Sequence, residues 1–198
     1  MAPLRIDSAL IPAAGYGTRL LPASKSVPKE LLPVFDRPCL QYAIDEALAC
    51  GIHRISLVTQ QGKGAIEDYL DARPDLEHHL EDRGHHDLLE MLAKLREGLE
   101  VTYVRQERPC GLGHAVIKAR PLLGSGPFAV LLADDLVGQS QPFLQELLQV
   151  HAEVGGAVVG LYPVSPEDSG RYGMVRSERT IDDRLRICLL YTSPSPRD

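Results

Sequence analysis

The sequence predicts an α/β fold: a mostly parallel mixed sheet covered by helices on both faces, in three αβα layers. Three observations predict it. Strand-like stretches alternate with helical stripes, the order that builds βαβ units. Phe128–Leu132 (FAVLL) is continuously apolar, as a parallel strand covered on both faces must be. A chain of 198 residues, 44% hydrophobic and 24% charged, has the composition of a globular domain and the length to bury a sizeable core. No internal repeat of fixed period interrupts the pattern.

The elements follow in order. Leu4–Pro12 reads as a short apolar strand that stops at Ala13-Ala14-Gly15. In 40–50 the apolar residues Leu40, Ala43, Ile44, Ala47 and Leu48 form a helical stripe, and Gly51 stands where a helix C-terminus favours glycine. Arg54–Thr59 is a β-branched strand and Gly64–Leu70 a short helix. Residues 76–99 are Leu-rich, charged and mostly helical, with a break near Gly84. Glu100–Arg105 is a strand, 114–119 a helix, and 127–132 a buried strand. Residues 142–154 form a helix ended by Gly155-Gly156, and 157–163 a strand.

Composition excludes several classes. The longest apolar run, Phe128–Ala133, is far short of the ~20 residues that cross a bilayer. Residues 1–7 lack the apolar stretch of a secretory signal. Cys39, Cys50, Cys110 and Cys188 are widely spaced with no CxxC pair, which argues against a zinc module or a disulfide scaffold and fits a reducing cytoplasm. The net charge of −6, with no basic stripe, is a poor match to a nucleic-acid backbone. A polyanion held here should be small and met by a few local cations. His78-His79 and His85-His86 lie in a polar helical stretch without a zinc spacing, and are expected to be exposed.

In a parallel sheet, ligands bind beyond the carboxyl ends of the strands. The residues there are 13–19, 59–64, 106–113 and 133–136, where glycines and charges concentrate. The first strand runs into Pro12-Ala-Ala-Gly-Tyr-Gly-Thr-Arg19. Small residues let backbone N–H groups approach an anion, and Arg19 adds a forked cation. Position 20 is Leu, so the three-glycine dinucleotide fingerprint fails, and no GxxxxGK[ST] run is present. Prolines 22, 28 and 33 stiffen the next loop, which carries Lys25 and Lys29. Arg19, Lys25 and Lys29 are thus three cations near the glycine turn.

Ile11-Pro-Ala-Ala-Gly-Tyr-Gly-Thr-Arg19, Pro28-Lys-Glu-Leu-Leu-Pro33 and Pro38-x-x-Gln-Tyr42 resemble the signature of sugar-phosphate nucleotidylyltransferases. Gln106 with Gly111-Leu-Gly-His-Ala115, Asp134-Asp135-Leu136 and Tyr172-Gly-Met-Val175 narrow the resemblance to bacterial UTP–glucose-1-phosphate uridylyltransferases, over residues 4–183. It implies a Rossmann-like three-layer fold of the nucleotide-diphospho-sugar transferase type. It also implies transfer of a uridylyl group from UTP to glucose 1-phosphate, giving UDP-glucose and pyrophosphate, with Mg²⁺. Ala13, Ala14, Gly15, Gly17, Thr18 and Arg19 match the turn around the nucleotide and its phosphates. Lys29 matches the phosphate-contacting lysine, and with Arg19 is the implied catalytic pair. Gln106 and Gly111 match positions that read the uracil; an amide offers a pyrimidine edge both a donor and an acceptor. Asp134 matches the metal ligand and Gly173 the glycine near the sugar, while His114 is assigned no proton transfer. The implied partners are the two substrates, with no nucleic acid or membrane, in a homo-oligomeric full-length enzyme.

The far end departs from this pattern. The family continues from a segment like 179–186 to a strand with an adjacent Glu-Lys pair and later to a second metal-binding Asp; neither follows here. The expectation is a nucleotidylyltransferase domain over 1–187, incomplete at its C-terminus, and a Ser/Pro-rich tail over 188–198 that is disordered or artefactual. The alternatives are a nucleotidylyltransferase using dTTP or ATP, and a catalytically silent nucleotide-binding fragment.

Overall fold

The computed structural model describes residues 5–108, 110–137, 143–179 and 185–191. It divides into two compact units, Met1–Val158 and Val159–Arg197, apart from the terminal Asp198.

The first unit opens with β1 (Ser8–Pro12), short 3-10 turns at Thr18–Leu20, Ala23–Lys25 and Lys29–Leu31, and a tight hairpin of β2 (Pro33–Val34) and β3 (Arg37–Pro38). There follow α1 (Cys39–Ala49), β4 (Arg54–Thr59), α2 (Gly64–Leu70), α3 (Pro74–Asp82), α4 (His86–Lys94), β5 (Glu100–Arg105), α5 (Leu112–Leu123), β6 (Ala129–Val130) and α6 (Phe143–Val154). Four strands form a parallel sheet in the order β5-β4-β1-β6. Ser8 to Pro12 pair with Arg54 to Val58, and Arg54 to Thr59 with Glu100 to Arg105. All carboxyl ends therefore open on one edge.

The period-2 alternation of strands sorts β1 onto two cores. Ala9 and Ile11 face a core built with Leu40, Ala43, Ile44 and Ala47 of α1, Ile66 and Leu70 of α2, and Leu144 of α6. Leu10 faces a smaller core with Val58 and with Ala115, Ala119 and Leu123 of α5. Helices thus lie on both faces, as expected. Leu10, Ile11, Leu40, Ile44, Ile55 and Leu57 are fully buried, each worth roughly 1.5–3 kcal/mol by removal from water. The stop of α1 is built as its glycine suggests. Gly51 sits at φ +75°, its N–H bonds Leu48 O at 2.9 Å, and the Ile52 N–H bonds Ala47 O at 2.9 Å, which is a Schellman cap.

Several expectations are corrected. Residues 127–132 form a strand only at Ala129–Val130, the two residues that pair with Ala9 and Leu10 of β1. Ala129 and Leu131 are buried whereas Val130 and Leu132 are exposed. The helix expected over 114–119 runs from Leu112 to Leu123, straight through Pro121. The carbonyl that Pro121 cannot bond belongs to Ile117, on the exposed side of the helix. Residues 157–163 form no strand, and Val159, Leu161 and Tyr162 are exposed. The break near Gly84 is present, between α3 and α4, and the four histidines around it are exposed.

The second unit contains β7 (Met174–Arg179) and β8 (Leu185–Tyr191), an antiparallel pair with an irregularity between Arg176 and Ser177. The tail boundary drawn at 188 therefore falls inside a strand, since a pairing partner turns the apolar run Ile187–Tyr191 into β structure. Residues 192–198 lie outside the described residues. Among the described residues, no helix is long and apolar enough to cross a membrane.

Candidate active site

The carboxyl edge of the sheet gathers the charges that the sequence scatters. From β1 the chain continues the ladder for one step, Ala13 N–H to Val58 O at 2.8 Å, so Ala13 and Ala14 are buried at the mouth. Gly17 then turns at φ +69°, a left-handed conformation that suits glycine. A Cβ there would lie 3.2 Å from both Lys29 Cβ and Ser24 Cβ. The Ser24 hydroxyl donates to Gly17 O at 2.8 Å. Gly17 therefore serves to seat the Lys29 stem against the first loop. Gly15 is half-buried in this loop, while Thr18 and Arg19 are exposed at its rim.

The turn Lys29–Leu31 sends two successive charges to two strand ends. Lys29 Nζ donates to Asp134 Oδ2 at 2.7 Å, with the lysine side chain 16% and the aspartate 46% exposed. Glu30 turns the other way and takes Lys63 Nζ on both carboxylate oxygens, each at 2.8 Å. This second pair is buried, with side-chain exposures of 8% for Lys63 and 1% for Glu30. Burial pulls the Lys63 ammonium below its ordinary range, and the Glu30 charge opposes that pull. Beside Asp134, burial raises the Asp135 carboxyl, the Asp134 charge adds to the rise, and Lys29 and Arg19 act against it. Arg19, Lys29 and the two aspartates thus share one electrostatic neighbourhood. Lys25 is exposed and makes no ion pair among the described residues.

Gln106 extends the β4–β5 ladder, its N–H bonding Thr59 O at 2.8 Å, and its side chain is buried. Its Nε2 lies 2.6 Å from His114 Nδ1 and 3.4 Å from Gly111 O. Gly111, at φ +87° and ψ 179°, starts α5 in a conformation close to glycine's alone. Gly173 precedes β7 in the second unit and is not among the residues that the first unit brings together.

Residues 8–190 match the family model described as nucleotidyl transferase. The chain belongs to the nucleotidyl transferase family. It is 45% identical over 171 residues to a UTP–glucose-1-phosphate uridylyltransferase of Bacillus subtilis strain 168, covering 86% of this chain and 59% of that protein. The chain thus spans about three-fifths of the length of that relative. A UTP-bound UGPase from Acinetobacter baumannii superposes with a TM-score of 0.87 at 36% identity, covering 98% of this chain and 71% of that one. A UDP-glucose pyrophosphorylase complexed with UDP-glucose gives 0.83 at 34% identity, over 97% of this chain and 70% of that one.

Within this nucleotidyl transferase chain, Glu30 and Lys63 are the pair that sequence reasoning missed. The signal was present: Lys63 stands just after β4, in one of the strand-end segments, and Glu30 is wedged between Lys29 and the apolar Leu31-Leu32. Gln41, within Pro38-x-x-Gln-Tyr42, has a structural use instead. It bonds Asp45 one turn on, and the Tyr69 hydroxyl of α2 donates to it.

A divalent ion is compatible with the donors present. Asp134 keeps its Oδ1 without a donor among the described residues, and Asp135 is adjacent. No cluster of three or more potential ligands occurs among the described residues. Mg²⁺ commonly takes one or two carboxylates and completes its shell with water and substrate phosphates, so one half-exposed carboxylate fits a shared site.

Proposed function

We propose that this chain binds UTP at the carboxyl edge of its sheet and serves the transfer of the uridylyl group to glucose 1-phosphate, giving UDP-glucose and pyrophosphate. The observation that carries the reading is the 2.7 Å contact between Lys29 and Asp134, a cation and a carboxylate held at the ends of neighbouring strands beside Arg19. The names of the relatives support the substrate pair.

The chemistry needs charge management more than proton transfer. A phosphate oxygen of the sugar phosphate attacks the α-phosphorus and pyrophosphate leaves from the opposite side. The attacking group is already ionised at neutral pH, so no general base is required. Two polyanions must instead be brought together in line. Arg19 and Lys29 would offset the negative charge as it spreads over the leaving phosphates. Asp134 would hold Mg²⁺, which supplies Lewis-acid polarisation of the phosphoryl oxygens when bound. Ala13, Ala14, Gly15, Gly17 and Thr18 would pass the backbone close to the nucleotide, Gln106 and Gly111 would meet the base, and Gly173 would lie by the sugar. The free cysteines among the described residues suit a cytoplasmic setting.

The test is pyrophosphate release from UTP and glucose 1-phosphate, with a UTP dissociation constant measured in Mg²⁺. Lys29→Ala should lower turnover by roughly 10²–10³-fold, the usual cost of losing one preorganised charge. Near-normal turnover by that variant would remove Lys29 from the role. A preference for dTTP or ATP over UTP would replace the substrate. Because the chain covers 59% of the Bacillus relative, a second reading is binding without turnover. UTP binding with no pyrophosphate from any sugar phosphate would favour it. Light scattering tests the homo-oligomer that the family resemblance implies.

A further inference from the structure

Lys29 and Asp134 hold one another, and each is also wanted by a different ligand. The Lys29 ammonium donates to Asp134 Oδ2 at 2.7 Å and makes no other hydrogen bond among the described residues. Its stem is seated: a Cβ at Gly17 would lie 3.2 Å from Lys29 Cβ and 3.4 Å from Lys29 Cδ. The next residue, Glu30, is anchored by Lys63 in the core. What can swing is therefore the charged end of Lys29, not the turn that carries it. The charges around the contact balance, Lys29 and Arg19 against Asp134 and Asp135. With the pair closed, little net attraction is left for either kind of ion. A divalent cation is drawn by the carboxylate and repelled by the ammonium. A triphosphate is drawn by the ammonium and repelled by the carboxylate.

We propose that the Lys29–Asp134 contact is a latch across the site, opened from opposite ends by a divalent cation and a triphosphate. The cation draws on the carboxylate and the triphosphate draws off the ammonium, so whichever arrives first leaves a freed charge for the other. By linkage, the two ligands strengthen each other's binding by the same factor. The latch rests on the UTP reading above and adds an antagonism to it: Lys29 weakens the metal, and Asp134 weakens UTP, until the pair parts. The competing account is a brace, in which the contact only ties the turn after Pro28 to the loop after β6. Cutting a brace from either side loosens the site and weakens both ligands. Cutting a latch tightens one ligand from each side. Because the Asp134 side chain is 46% exposed, water screens the pair, and each gain should be about fivefold.

The probes are UTP in EDTA and Mn²⁺ without nucleotide, each titrated calorimetrically into the 198-residue chain. Asp134→Asn should bind metal-free UTP about fivefold more tightly than wild type. In a Lys29→Met background the same substitution should change UTP affinity by less than about twofold, because Asp134 acts on UTP through the ammonium it holds. Lys29→Met should bind Mn²⁺ about fivefold more tightly than wild type, and adding Asp134→Asn should abolish that gain. Three results overturn the latch: metal-free UTP binding that does not tighten in Asp134→Asn, an equal gain in both backgrounds, or a Lys29→Met chain that takes up Mn²⁺ no better than wild type. If Lys29→Met does not fold, Lys29→Gln replaces it and is held to the same outcomes. A wild type that fails to bind UTP even in Mg²⁺ sinks the UTP reading, and this inference falls with it. A wild type that binds UTP in Mg²⁺ while the variants behave as a brace sinks the latch alone.

Discussion

Removing Lys63 while keeping Glu30 should be among the more damaging single changes in the first unit. Glu30 is 1% exposed, and both its oxygens are bonded to one ammonium at 2.8 Å. Lys63→Met preserves the length and apolar bulk of the lysine stem but deletes that charge. The carboxylate is then buried without a partner, a change that typically costs ~3–5 kcal/mol. For a chain of this size, 1 kcal/mol moves Tm by roughly 2–4 °C, so the melting temperature should fall by about 10 °C. The intact pair is not itself a large gain, since desolvation offsets most of its attraction. The double variant Glu30→Gln/Lys63→Met should therefore recover at least about half of the loss. Thermal and urea melts of the four proteins close the cycle. UTP affinity read alongside should fall in Lys63→Met, because Lys29 is the next residue on the same turn. If Lys63→Met melts within about 1 kcal/mol of wild type, or the double variant is no better than the single, the buried-charge argument is wrong.

Two further outcomes follow from neighbouring geometry. Gly17→Ala imposes a Cβ at φ +69° and only 3.2 Å from Lys29 Cβ and Ser24 Cβ. It should cost ~1–2 kcal/mol in a urea melt and weaken UTP binding by displacing the Lys29 stem; unchanged affinity would separate the glycine from the lysine's placement. Tyr103, whose hydroxyl donates to Asp71 Oδ1 at 3.0 Å, is held above its ordinary range by burial first and by that bond second. An acid raised on folding stabilises below its unfolded value and loses that contribution as pH rises. The stability gap between wild type and Tyr103→Phe should therefore be about 1 kcal/mol at pH 7 and shrink above pH ~10, by at most ~1.4 kcal/mol per unit. A gap that widens in alkali would reverse the sign.

What could be read from the sequence divides by the range of the interaction concerned. Arg54–Thr59, Gly64–Leu70 and Glu100–Arg105 have the predicted bounds because composition and punctuation act locally. Gly51 marks the end of α1 for the same reason, since its positive φ is demanded by residues three and four positions away. Residues 127–132 and 157–163 depart because strand formation is decided by what lies alongside. The first is laddered to β1 only at Ala129 and Val130, and the second is assigned no strand. The run 187–191 makes the opposite point, a supposed tail that finds a partner in β7.

The same division governs the site. Its members could be assembled in advance only by resemblance, because Lys29 and Asp134 are 105 residues apart and no periodicity links them. What the resemblance left out is the support beneath them. Lys63 and Glu30, 33 apart, carry no signature of their own, since a lysine after a strand ordinarily stays in water. Their pairing follows once β4 and β6 flank β1. The turn after Pro28 must then cross the ends of both neighbours, and two consecutive charges are directed one to each. A single turn that pairs one charge at an open rim and the next in the core fixes the position of the exposed one. That is why stability measured at Lys63 and UTP affinity governed by Lys29 should move together. If the two vary independently across the Lys63 and Glu30 variants, the buried pair is only a stabilising contact and the placement of Lys29 has another cause.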